Sequence, residues 1–126
     1  MDYSISITRS GSALHAVVTG TNSIRNVDRY LTEIRAASEE HGVKDILIEE
    51  QLQGDGLDTF DVFEVIRTHA RYARDRKLRI AYVDLNRDHH RTTVAFGENL
   101  ANILGVNVRV FASADEAAHW LGSGSR

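Results

Sequence analysis

The chain contains no cysteine and no proline, carries a net charge of only −3, and has no long apolar run in its 126 residues. Without cysteine there is no disulfide framework, no CxxC redox pair, no thiolate zinc site and no cysteine nucleophile, and a reducing compartment is permitted. Without proline, cis-proline switches and proline-rich linkers are excluded. Fifteen basic residues stand against eighteen acidic ones. That balance gives no global attraction to nucleic acid or to an anionic membrane. No stretch approaches the roughly 18 apolar residues of a membrane span, and the start MDYSISITR has neither a basic n-region nor an apolar run. The expectation is a cytoplasmic protein with no membrane insertion.

What is present is enough for one core. At this length a folded chain hides roughly two-thirds of its unfolded surface, so a single domain over residues 1–122 needs no staple. Gly-Ser-Gly at 122–124 heads a tail, 123–126, expected to be flexible.

Tyr3 to Arg9 alternates Tyr3, Ile5 and Ile7 with Ser4, Ser6 and Thr8, the period of a strand with one wet face. Ser10-Gly11-Ser12 suits a tight reversal into a second run, Ala13 to Thr19, so a hairpin is expected. Asn26 is the expected N-cap of a helix carrying Val27, Tyr30, Leu31, Ile34 and Ala37 at helical spacing, stopped at Gly42. Ile46-Leu47-Ile48 is continuously apolar, as in a parallel strand covered on both faces. A loop over 51–58 precedes a helix over 59–76, with Phe60, Phe63, Ile66, Ala70 and Ala73 on its apolar side. Leu78 to Leu85 gives another strand. After a polar loop, a third helix is expected to turn Phe96, Leu100, Ile103 and Leu104 to one side, with Gly105 closing it. Val106 to Phe111 is the last strand, and Ser113 with Glu116 forms a capping box for a final helix. The order β-β-α-β-α-β-α-β-α predicts an α/β domain whose five-stranded sheet is mostly parallel with an antiparallel N-terminal edge.

This order, together with the passages ILIEEQLQGDGLDTFDVFEVI, RIAYVDL and VRVFASADEAAHWL, resembles the STAS family of anti-sigma-factor-antagonist domains. It is most similar to the SpoIIAA-like, SEC14-like branch of small stand-alone bacterial proteins. The resemblance implies a non-enzymatic regulatory module with a protein partner such as a regulatory kinase; a second copy of the chain is the other candidate partner, because the edge strand Tyr3 to Arg9 invites pairing. In the antagonists an Asp-Ser-Ser/Thr-Gly string at the start of the second helix carries a phosphorylatable hydroxyl that decides kinase binding. Here Asp58 and Thr59 match its first two places, while Phe60 and Asp61 replace the small residue and the glycine. Asp58, Thr59, Phe60 and Asp61 are therefore the candidate switch or docking residues, although capping by itself fully explains Asp58 or Thr59. The SEC14-like side of the resemblance implies an alternative, a carrier holding a small apolar or lipid-like ligand beneath the second and third helices. Phe60, Phe63, Phe96 and Trp120 are expected to build the core instead.

Ligands of parallel α/β sheets bind beyond the carboxyl ends of the strands. Glu49 and Glu50 end one strand and Asp84 the next, with Asp88, His89 and His90 following. Such a polar cluster suits a divalent cation or an acid/base pair, the third reading, although no HxxxH or HExxH spacing occurs. No cofactor or resident metal is assigned. Arg67, Arg71 and Arg74 form a basic stripe, but Glu64 and Asp75 are spaced to pair with it as an ordinary salt-bridged face. No nucleophile elbow, phosphate-binding loop or dinucleotide fingerprint is found.

Overall fold

The computed structural model describes residues 3–54, 57–86 and 91–123. The alternating N-terminal runs form strands β1 (Tyr3–Ser10) and β2 (Ala13–Thr21), paired antiparallel with Ile5 opposite Val18 and Ile7 opposite Ala16. Two residues join them, and the first, Gly11, has a φ of 62°, the left-handed conformation that such a reversal asks of glycine. Helix α1 (Ile24–His41), strand β3 (Asp45–Gln53), helix α2 (Thr59–Asp75), strand β4 (Arg79–Asp84), helix α3 (Arg91–Ile103), strand β5 (Asn107–Phe111) and helix α4 (Ala114–Ser123) follow.

The sheet runs in chain order, β1 to β5, with every pairing after the first parallel. Each crossover thus steps the same way, and crossovers of one hand lay α1, α2 and α3 on one face. There Ala16, Val18, Ile46, Ile48 and Leu52 of the strands meet Val27, Tyr30 and Ile34 of α1, Val65 and Ala70 of α2, and Ala101 of α3. Among the described residues the opposite face is covered by α4, where Ala117 and Leu121 pack on Leu47, Ala81 and Val83. Trp120 sits at the rim of this smaller core, its ring centroid 5.6 Å from that of Phe111. Serving both cores explains the unbroken apolar centre of β3, with Ile46, Leu47 and Ile48 all buried. No described helix is long and apolar enough to cross a membrane.

The element order is as the sequence predicts, and four local details differ. Ser23, not Asn26, caps α1: its hydroxyl accepts from the Asn26 amide at 3.1 Å. Asn26 is instead buried, its side-chain amide donating to the Thr21 carbonyl at 2.8 Å. Strand β3 runs on to Gln53, because Leu52 continues the inward alternation and lies opposite Gly20 of the long β2. The inward side of α2 is Val65, Ile66, His69, Ala70 and Ala73, while Phe60 is 67% exposed and Phe63 38%. The first turn of α2 begins where β3 has ended, so its aromatic side chains have little sheet to cover. Finally, α3 buries small residues, Gly97 and Ala101, and leaves Ile103 79% exposed. A Cβ on Gly97 would sit 3.0 Å from a Val62 methyl carbon, so the absence of a side chain lets α2 and α3 approach closely.

Candidate functional site: an acid-floored cavity beside an aromatic helix end

Strand register builds the floor of the site. Glu50, within β3, is the register partner of Asp84 at the carboxyl end of β4, and alternation turns both toward the face carrying α1 to α3. Glu50 is only 4% exposed. A carboxylate so buried must be matched by donors. The Tyr82 hydroxyl, two residues before Asp84, donates to one oxygen at 2.7 Å, and the Tyr30 hydroxyl of α1 donates to the other. Burial pushes both phenols well above their ordinary range, and the charge of Glu50 adds to it. Asp84 also accepts from the Asn86 amide at 2.9 Å, closing the turn after β4.

A second polar link ties α1 to α2. His69, largely buried, places Nε2 2.8 Å from a carboxylate oxygen of Asp28, and Nδ1 lies 3.2 Å from an Arg35 nitrogen. Arg35 has only donors, so Nδ1 accepts and the Nε2–H donates to Asp28. The guanidinium of Arg35 lies 4.0 Å from the centroid of the Tyr72 ring.

Between these helices and the sheet lies a cavity of about 200 Å³. Its walls are mainly aliphatic, supplied by residues such as Val65, Ile66, Ile80 and Val108. Glu50, Asp84, Glu98 and His69 are its ionisable members besides the two tyrosines, and no lysine or arginine lines it among the described residues. Glu98 is engaged with β5, accepting from the Val110 amide at 3.0 Å. Leu57 and Val62 carry the cavity wall toward the N-terminus of α2.

That helix end carries the candidate docking residues. Asp58 is the N-cap, its carboxylate accepting from the Asp61 amide at 2.8 Å. Thr59 is the first helical residue and is exposed, as is Phe60. Asp61 adds a second carboxylate in the first turn. The residues read as a strand-end cluster separate: Glu50 and Asp84 lie together, but Glu49 points to the opposite face and pairs with His15 at 2.5 Å. Asp88, His89, His90 and Asp55 lie outside the described residues. Among the described residues no group of three or more His, Asp or Glu side chains is arranged to hold a metal ion. The basic stripe is paired, Arg67 with Glu64 at 3.0 Å, Arg74 with Asp75 at 3.1 Å and Arg76 with Glu39 at 3.2 Å.

Sequence reading passed over Tyr30, Tyr82, Asp28 and His69. A signal existed for the tyrosines: alternation from Ile48 through Leu52 places Glu50 inward, and buried tyrosines seek a partner for the hydroxyl.

No family model matches the chain, and no curated protein matches it. Solved structures do. An uncharacterised DUF3478-family protein with a SpoIIAA-like fold, from Shewanella loihica PV-4, superposes with a TM-score of 0.56 at 16% identity, over 96% of this chain and 95% of that one. A serine-to-glutamate variant of RsbS from Moorella thermoacetica gives a TM-score of 0.56 at 15% identity, covering 94% of this chain and 97% of its own. At such identities the likeness is one of fold. Strand order, helix placement and these neighbours agree that the chain has a SpoIIAA-like α/β fold.

Proposed function

We propose that the chain is a non-enzymatic cytoplasmic interaction module that docks a protein partner through the first turns of α2. The observation that carries this reading is Phe60, 67% exposed beside the half-open Phe63. A phenylalanine side chain left in water forgoes roughly 1.5 to 3 kcal/mol of burial, which a covering partner recovers. Asp58 caps this helix end and Asp61 adds a carboxylate in its first turn, whereas Glu64 is paired with Arg67. The fitting partner therefore has an apolar socket with a basic rim. A regulatory kinase, as the STAS resemblance implies, is the first candidate, and the exposed Thr59 is the hydroxyl such a partner would modify. The test compares the partners retained by native protein, by Phe60→Ala and by Ile103→Ala, the last removing an even more exposed apolar side chain elsewhere. A partner lost only with Phe60→Ala, and binding the purified native chain directly, supports the reading. Equal retention by all three contradicts it.

A second reading, a carrier of a small apolar ligand, is favoured by a different observation, the cavity of about 200 Å³ beneath α2 and α3.

A further inference from the structure

The five-stranded sheet has two edges, and they are built differently. Along the outer side of β5 the Val108 N–H donates to the Val106 carbonyl at 3.1 Å, the Asn102 side-chain amide to the Val108 carbonyl at 3.1 Å, and the Val110 N–H to the Glu98 carboxylate at 3.0 Å. An added strand would have to displace these bonds, so α3 guards this edge. The other edge is open. β1 pairs with β2 alone, and among the described residues nothing bonds to its main chain along the outer side. It runs eight residues in unbroken register without proline or lysine, and so lacks the usual devices that blunt an edge.

From this asymmetry we infer that a second copy of the chain pairs antiparallel with β1 across a two-fold axis at Ser6, joining two five-stranded sheets into one. The inference is independent of docking through α2.

Sequence symmetry fixes the occupant and the register. A two-fold axis brings one strand against itself, so the strand must be self-complementary. Ser4-Ile5-Ser6-Ile7-Thr8 is nearly so about Ser6: Ile5 meets Ile7, Ser4 meets Thr8, and Ser6 meets itself. Isoleucines then extend the apolar layer under α1, and hydroxyls line the opposite, wet face. A shift by one residue would set isoleucine against serine. The hairpin agrees. Its two-residue turn makes Ser10 and Ala13 the closing hydrogen-bonded pair, and alternation from there turns the main-chain groups of Tyr3, Ile5, Ile7 and Arg9 outward. Those are the residues that this register pairs, Ile5 with Ile7 and Tyr3 with Arg9.

Charge complements the same register. Arg9 is the one charged residue of β1, and its only bond within the chain is to the Gly11 carbonyl at 3.4 Å. Across the axis it stands opposite Tyr3, whose hydroxyl donates to the Glu33 carboxylate of α1. The guanidinium of each copy thus meets a carboxylate of the other, and symmetry makes two such pairs.

Sedimentation velocity on the native chain and on charge variants at Ser6 tests the pairing. Ser6 is exposed in the single chain, so Ser6→Lys and Ser6→Glu leave the fold intact, as circular dichroism verifies. The native chain is expected to dimerise at about 100 µM, each variant alone to bind itself about fivefold or more weakly, and an equimolar mixture of the two to recover the dimer. The chain has no cysteine, so Ser6→Cys supplies a lone thiol on the axis and should oxidise to a covalent dimer. Ser4→Cys should not, since its two thiols would lie roughly 13 Å apart along the strands. A native chain that stays monomeric would overturn the inference. So would variants at Ser6 that associate as the native chain does, or a Ser4→Cys protein that cross-links as readily as Ser6→Cys.

Discussion

Raising the pH past 10 should expose the buried tyrosine pair directly. Tyr30 and Tyr82 have pKa values well above the ordinary 10.0, because burial and the Glu50 charge both disfavour a phenolate. Below pH 10 the folded and unfolded chains both keep these two protons, so the pair adds no pH dependence. Above it the unfolded chain releases both while the folded chain retains them. Stability therefore falls as pH rises, by up to about 1.4 kcal/mol per pH unit for each group. At pH 11 each tyrosine should have cost on the order of 1 kcal/mol, and the two together about twice that, against a total stability on the order of 5 to 15 kcal/mol. The assay is urea unfolding at pH 9, 10 and 11 for the native chain and for Tyr82→Phe. The substitution should cost about 1.5 to 3 kcal/mol at pH 9, since it removes a hydrogen bond to a buried carboxylate. Between pH 9 and 11 the variant should then lose on the order of 1 kcal/mol less than the native chain, as other titrating groups are common to both. Phenolate absorbance from the pair should appear only as the circular dichroism signal of the fold is lost. Parallel declines in the two proteins would refute the buried Tyr82–Glu50 contact.

Two further substitutions check local structure. Asp58→Ala should cost about 1 kcal/mol by removing the α2 cap, whereas Thr59→Ala should change stability by less than about 0.5 kcal/mol, both read by urea denaturation. Lys77 holds a φ of 58° after α2, with its amide bonded to the Arg74 carbonyl and the Leu78 amide to that of Ala73, a helix ending that favours glycine. Lys77→Gly should accordingly raise stability by roughly 0.5 to 1 kcal/mol in the same assay.

The legible part of this protein is what periodicity and turn chemistry encode. Alternation in Tyr3 to Thr8, the apolar triplet at Ile46 and the glycines at 11, 42 and 105 locate strands and helix ends, because each depends on neighbours in sequence. The inward side of a helix depends on what it meets. Phe60 and Phe63 read as core by hydropathy, yet they begin α2 beyond the end of β3. Gly97 reads as a weak helix residue, and only the 3.0 Å approach to Val62 shows why a bare backbone serves there. The proposed docking stretch was singled out only because the STAS resemblance points to it. The Tyr30–Glu50–Tyr82 network was not, since its hydroxyls converge from α1 and β4 on a strand between them. A pair such as Glu49 and Glu50 looks like one site in sequence, and strand geometry sends its members to opposite faces.

The central claim is that the aromatic, acidic end of α2 is where a partner docks. Site-specific photo-crosslinking in the cell tests it most directly, with a benzophenone side chain placed at position 60 or, in a parallel protein, at position 103. The account predicts one discrete crosslinked partner from position 60 and none in common from position 103, although Ile103 is the more exposed of the two at 79%. The same partner captured equally from both positions, or captured only from position 103, would contradict it.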